Sequence, residues 1–269
     1  MKLRLLTLSL SAALLASCGG SGGGEGGKPA AGEDQVLNVY NYSDYIAENT
    51  VPAFEKASGV KVTYDVFDSD EMVETKLLAG GSGYDVVVPT LNFFGRQIQA
   101  GVFLPLDKSK IPNLANLDPE IMQRIAQQDP GNKYGVPYMV GTTGIGYNVD
   151  KVKAAFGSTD IANSWDLVFK PENIAKLKDC GVTILDTPSD LIPIALHYQG
   201  EDPHTTDSAK IEKAAALIKS IRPYVQNFHS SQYVTSLANG STCLAVGWSG
   251  DIIQARDRAE EAKNGVKVA

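Results

Sequence analysis

The sequence predicts an α/β protein built as two lobes with a cleft between them, the first a parallel sheet with helices on its faces. Two observations carry that expectation. From Val36 to Val88 the patterns run strand, helix, strand, helix, strand, and parallel neighbours need helical crossovers. A second α/β series begins after GVPYMVGTTGIGYNVDKV, whose extended stretch around 136–148 joins the two units. With 269 residues, 43% of them hydrophobic, the chain has enough apolar surface for one large domain or two such lobes.

Element by element, Val36 to Asn41 reads as a short buried strand. Ser43 or Asp44 is placed to cap a helix running to Ser58, and Gly59 stops it. Val60, Val62, Tyr64 and Val66 alternate with polar residues, as a strand does. Asp68 to Glu71 opens the next helix with a capping box, and Gly80-Gly81 ends it. Tyr84 to Val88 is a third strand, closed by Pro89. In the second unit helices are expected at 165–169, 172–178, 208–221, 230–238 and 251–263, with strands at 182–185 and 243–247. No internal repeat is visible. The expected boundaries are 36–140 for lobe 1 and 141–257 for lobe 2, with 258–269 starting a return to lobe 1. A strand expected to begin at Val266 and cut off at Ala269 is what a truncated product or fragment would give.

The N-terminus reads as a secretory signal over 1–17: Lys2 and Arg4, an apolar stretch from Leu5 to Ala16, then a small-residue site. Leu15-Ala16-Ser17-Cys18 resembles a bacterial lipobox, with Cys18 as the lipidated mature N-terminus. Residues 18–35 are glycine-rich and read as a flexible tether. The expected location is therefore the cell envelope or periplasm, held to a membrane by lipid alone. The formal charge of −7, which becomes −9 without Lys2 and Arg4, argues against nucleic acid or an anionic membrane surface as the main partner. In an oxidising compartment Cys180 and Cys243 either pair as one disulfide or stand as two buried thiols. His197, His204 and His229 lack ligand spacing near either cysteine, so no metal or other cofactor is expected.

Enzyme motifs fail on spacing. Gly247-Trp248-Ser249-Gly250 is not a nucleophile elbow, and Gly141 to Gly146 lacks the lysine ending of a phosphate loop. A binding role fits better. Ligands of open α/β sheets sit beyond the carboxyl ends of strands. Those ends here read Tyr42-Ser43-Asp44-Tyr45, Thr90, Asp186 to Asp190, and Trp248 to Asp251. Aromatic rings and carboxylates recur there, without lysine or arginine. Carboxylates balance an ammonium, ring faces add about 0.5 to 2 kcal/mol each, and hydroxyls accept its remaining N–H donors. Tyr40 is expected to point the other way, into sheet packing.

The stretch NYSDYIAENTVPAFEKASGVKVTYDVFDSDEMVETKLLAGGSGYDVVVPT resembles the first lobe of the polyamine-binding proteins of bacterial ABC importers, with the putrescine-binding branch most similar. The likeness continues through PYMVGTTGIGYNVDKV, SWDLVFKPEN, FHSSQY and VGWSGDIIQA, covering Val36 to Ala269. It implies a bilobed type II periplasmic-binding-protein fold closing on an extended cationic polyamine, a permease as partner, a monomer, and a disulfide between Cys180 and Cys243. Carried over by matching segments, Asp251 and Ser43 hold one ammonium, and Asp190 and Thr90 approach the other. Tyr42, Tyr45 and Trp248 box the methylenes, and Asp44 adds a polar contact. The chain departs from the family pattern at Tyr42, where tryptophan is frequent, at Thr90, where serine is usual, and at Asp190, where the putrescine branch has glutamate. Family members also continue past residue 269, and the further part supplies more sheet strands and ligands. A polyamine sensor is the alternative function, and an envelope α/β enzyme a weaker one.

Overall fold

The computed structural model describes residues 35–269. The expected signal peptide, Cys18 and most of the tether lie outside the described residues. β1 (Val36–Tyr42) is central in a three-stranded parallel sheet of order β2-β1-β3. It pairs with β2 (Lys61–Phe67) along its whole length, from Val36 opposite Lys61 to Tyr42 opposite Phe67. β3 is a ladder of Val86–Val87 only, shorter than the expected 84–88, although Asp85 N–H and Val88 N–H still reach carbonyls of β1. Tyr40 is buried, stacked on Tyr84 with ring centroids 4.5 Å apart, but it does not point away from Tyr42: the two stand two residues apart on the same face of β1, and both rings pack against Phe67.

Between β1 and β2 lies α1 (Thr50–Ser58). The expected cap at Ser43 or Asp44 lies six or five residues before the observed cap, Asn49. Ser43 N–H continues the sheet ladder to Phe67 O at 3.1 Å, and Asp44 turns into the left-handed region at φ 61, which no helix start accommodates. Gly59 does end the helix, at φ 74 with its N–H on Glu55 O. α2 (Asp70–Leu78) is capped by Ser69, whose Oγ accepts from Met72 N–H at 3.4 Å. The expected capping box fails because the cap is Ser69 rather than Asp68, which puts Met72 instead of Glu71 at the third helical position; Glu71 accepts from the Ser189 hydroxyl. α3 (Leu91–Gln99) and α4 (Pro119–Ile125) complete this lobe, and neither was expected from the sequence.

The second sheet has the order β4-β7-β5-β6. β4 (Thr143–Tyr147) comes from the stretch expected to be a plain connection, and it runs antiparallel to β7 (Leu244–Trp248). Gly146 serves packing there: a Cβ on it would sit 2.2 Å from Ile252 Cδ1. β5 (Val182–Ile184) lies parallel between β7 and the two-residue β6 (Asn227–Phe228). The sheet is therefore mixed, because β4 enters from the crossover rather than from a helix. Around it pack α5 (Val149–Phe156), α6 (Asp166–Phe169), α7 (Pro171–Ile174), α8 (Pro188–Tyr198), α9 (Ser208–Ile221), α10 (Tyr233–Ala238) and α11 (Ser249–Ala262). Leu167, Ile174, Leu177, Ile184, Leu196 and Leu244 form its dry centre, each no more than 1% exposed.

Cys180 and Cys243 are joined by a disulfide with Cα atoms 5.6 Å apart, tying the segment before β5 to the start of β7. Residues 258–269, expected to begin a return to the first lobe, continue α11 to Ala262 and then pair with the edge of β4. Tyr147 and Ala269 exchange both backbone hydrogen bonds, and Val268 is buried against α10 and α11.

Candidate ligand-binding site

The residues that follow β1 and β7 meet face to face. Trp248 closes β7, and Tyr42 closes β1; their rings touch edge to face with centroids 5.5 Å apart. Tyr45 lies 5.6 Å from Tyr42 on the same wall. Three of the expected ring residues thus form one aromatic surface drawn from both lobes.

Asp251 sits in the first turn of α11 and is only 3% exposed. The helix N-terminus favours its negative charge. Its Oδ2 accepts from the Tyr233 hydroxyl, which itself accepts from Trp248 N–H at 3.0 Å. Its Oδ1 is buried without a partner among the described residues. Burial pushes the carboxyl up to about 6, against the opposing pull of the Tyr233 and Tyr45 hydroxyls and with a further push from Asp44. The Tyr45 hydroxyl is in turn held far above the ordinary phenol range, first by burial and then by the facing Asp251 charge. A desolvated carboxylate with one open acceptor, walled by rings, is a receptor for a buried cation.

The other expected residues are distributed unevenly. Thr90 donates its N–H to Asp70 Oδ1 at 2.9 Å and its hydroxyl to Oδ2 at 2.6 Å. Ser43 likewise donates to Asp68 Oδ1 at 3.0 Å. In both cases the hydroxyl proton is engaged, and the lone pairs are left as acceptors. Asp190, in the first turn of α8, accepts from Thr143 Oγ1 of β4 at 3.0 Å. Asp44 is already neutralised: its carboxylate meets Arg258 at 2.8 Å, and its carbonyl meets Gln254 at 3.0 Å. That pair joins the lobes at the cleft rim. An open hollow of about 390 Å³ lies beside the pair and α10, lined by Ser231, Thr235 and Asn239 but by none of Asp251, Asp190 or Asp70.

Sequence reasoning missed several neighbours. Asp70 and Glu71 read as ordinary acids of a helix start, yet Asp70 is 5% exposed and faces the Tyr42 hydroxyl. Burial raises the Asp70 carboxyl, while the Thr90 and Tyr42 contacts oppose the rise. Tyr233 read only as part of a helix, and Arg258 as a polar helix residue.

A family model for bacterial extracellular solute-binding proteins matches residues 49–269. The chain belongs to this family. As a solute-binding protein chain it is 56% identical over 246 residues to the putrescine-binding periplasmic protein SpuD of Pseudomonas aeruginosa, covering 91% of this chain and 67% of that protein. It is 54% identical over 240 residues to the putrescine-binding periplasmic protein PotF of Escherichia coli, covering 89% and 65%. Among solved structures, the TpPotD lipoprotein of Treponema pallidum superposes with a TM-score of 0.71 at 29% identity, over 87% of this chain and 69% of that one. The two-lobed α/β architecture is therefore that of the type II binding-protein fold. This chain spans about two thirds of the length of the curated relatives it matches.

Proposed function

We propose that this chain captures a polyamine, putrescine or a close analogue, outside the cytoplasmic membrane and delivers it to the permease of an ABC importer, without catalysing a reaction. The observation that carries this reading is Asp251: a buried carboxylate with one oxygen unpartnered among the described residues, beside the ring wall of Tyr42, Tyr45 and Trp248. The names of SpuD and PotF support the ligand class. Lobe 1 (36–140) and lobe 2 (141–257) close on the ligand, Asp251 and Ser43 taking one ammonium while Asp190 and Thr90 receive the other. The ligand's contacts with both walls stabilise the closed arrangement over the open one. Lipidation at Cys18 would hold a monomeric protein at the membrane; the lipoprotein named among the similar structures supports that part.

Isothermal titration with putrescine, cadaverine, spermidine and agmatine tests the reading. The chain should bind at least one of them, and Asp251→Asn should weaken that binding by about 2–5 kcal/mol, because a desolvated ion pair loses one partner. Undiminished affinity in the variant, or no binding of any amine by the parent chain, rejects it.

A further inference from the structure

We propose that Glu71 is an additional ligand-binding carboxylate, held in place across the cleft by Ser189, for the end of the ligand remote from Asp251. The inference rests on the polyamine reading above and names a residue which that reading does not use. Glu71 lies in the first turn of α2, in lobe 1, and Ser189 in the first turn of α8, in lobe 2. The Ser189 hydroxyl donates to Glu71 Oε1 at 2.9 Å. The second oxygen, Oε2, is buried and has no hydrogen-bond partner among the described residues. Buried carboxylate oxygens are rarely left without donors, since an unmet acceptor of this charge is costly.

The neighbours do not supply the missing donor. Asp70 already receives both groups of Thr90, and Asp190 receives Thr143. Among the described residues, the ion pairs of the lysines and arginines all lie elsewhere, and none reaches Asp70, Glu71 or Asp190. The charges of those three carboxylates, from both lobes, all act on the Tyr42 hydroxyl, which burial first and then these charges push far above the ordinary phenol range. A pole with three acids and no protein cation calls for a ligand end that carries positive charge and several N–H donors, as an ammonium or a guanidinium does. Because Ser189 reaches Glu71 only when the lobes meet, the donor-accepting geometry of Glu71 belongs to the closed arrangement.

The test is a calorimetric panel of putrescine, agmatine and spermidine on the parent chain, Glu71→Gln, Ser189→Ala and Asp251→Asn, with melting temperatures measured without ligand. Glu71→Gln should lose about tenfold or more in affinity for the best ligand, with a ligand-free melting temperature equal to or above that of the parent, since it removes an uncompensated buried charge. Ser189→Ala should lose a smaller factor, about three- to tenfold. Glu71→Gln binding within about twofold of the parent, while Asp251→Asn weakens, would overturn the role of Glu71 and leave the polyamine reading intact. A drop in the ligand-free melting temperature of Glu71→Gln would show a structural role and overturn it as well. Unchanged binding in Ser189→Ala beside a weakened Glu71→Gln would refute the part given to Ser189. A parent chain that binds none of the three amines removes the reading on which the proposal rests.

Discussion

Asp251 concentrates the electrostatics of this site in one residue. Its carboxyl rises to about 6 because burial disfavours the charged form, so the folded chain takes up a proton more readily than the unfolded chain. Its ionisation therefore costs stability as pH rises from about 4, the unperturbed value, to about 6, and the cost is fully present above that. The amount is about 3 kcal/mol for the ligand-free protein. Asp251→Asn should flatten this part of the pH–stability curve and melt higher than the parent above pH 6, which thermal unfolding across pH 4–8 reads directly. An ammonium bound at Asp251, as proposed, would reverse the preference. Below about pH 6 the ligand must displace the proton, so affinity should fall toward about tenfold per pH unit. Titrations between pH 5 and 7.5 check the slope; an affinity independent of pH over that range would contradict the role of Asp251. The residue types of this wall were readable from Tyr42, Tyr45, Trp248 and Asp251 as they stand after two strands. Asp70 and Glu71 were not, because an acid at a helix start has an ordinary explanation and only burial separates the cases.

At the scale of elements, β7 and α10 hold the site wall together. Gly247 in β7 lies under Tyr233 of α10: a Cβ there would come within 2.4 Å of Tyr233 Cε2 and 2.9 Å of its hydroxyl oxygen. The same hydroxyl bonds Asp251 and Trp248 N–H. Gly247→Ala should destabilise the fold by about 1–3 kcal/mol through overpacking. It should also weaken polyamine binding beyond what Gly144→Ala does, since the space beside Gly144 is open. Chemical denaturation paired with calorimetry separates the two effects. Helix α9 falls where apolar periodicity puts it, Ser208 to Ile221, because its pattern is long and uninterrupted. The first helix does not start where its capping residues suggest. Ser43 and Asp44 are fit for a cap, but the sheet ladder claims one backbone and a left-handed turn the other.

For the molecule as a whole, the lobes meet through small polar contacts at the rim and aromatic contact within. The Asp44–Arg258 pair is partly exposed on both sides, at 28% and 43%, so it contributes no more than about 1 kcal/mol. Its place across the cleft suits a closure contact, a role that removing the Arg258 side chain tests. Arg258→Ala should leave the melting temperature of the ligand-free chain nearly unchanged and speed ligand release a few-fold, to about fivefold at most. Stopped-flow displacement measures this, and an unchanged release rate would remove the closure role.

The sequence by itself determined the α/β alternation, the parallel first sheet, the aromatic and acidic character of the strand ends, and the family. These depend on periodicity, turn chemistry and residue type, all of which are local. Only the tertiary structure decided that β4 joins the second sheet antiparallel to β7, that Asp44 is committed to Arg258, and that Thr90 hands its donors to Asp70. It also decided which carboxylates keep an open oxygen. Burial and donor satisfaction depend on neighbours far away in the chain, such as Ser189 across the cleft from Glu71, and no local pattern encodes those distances.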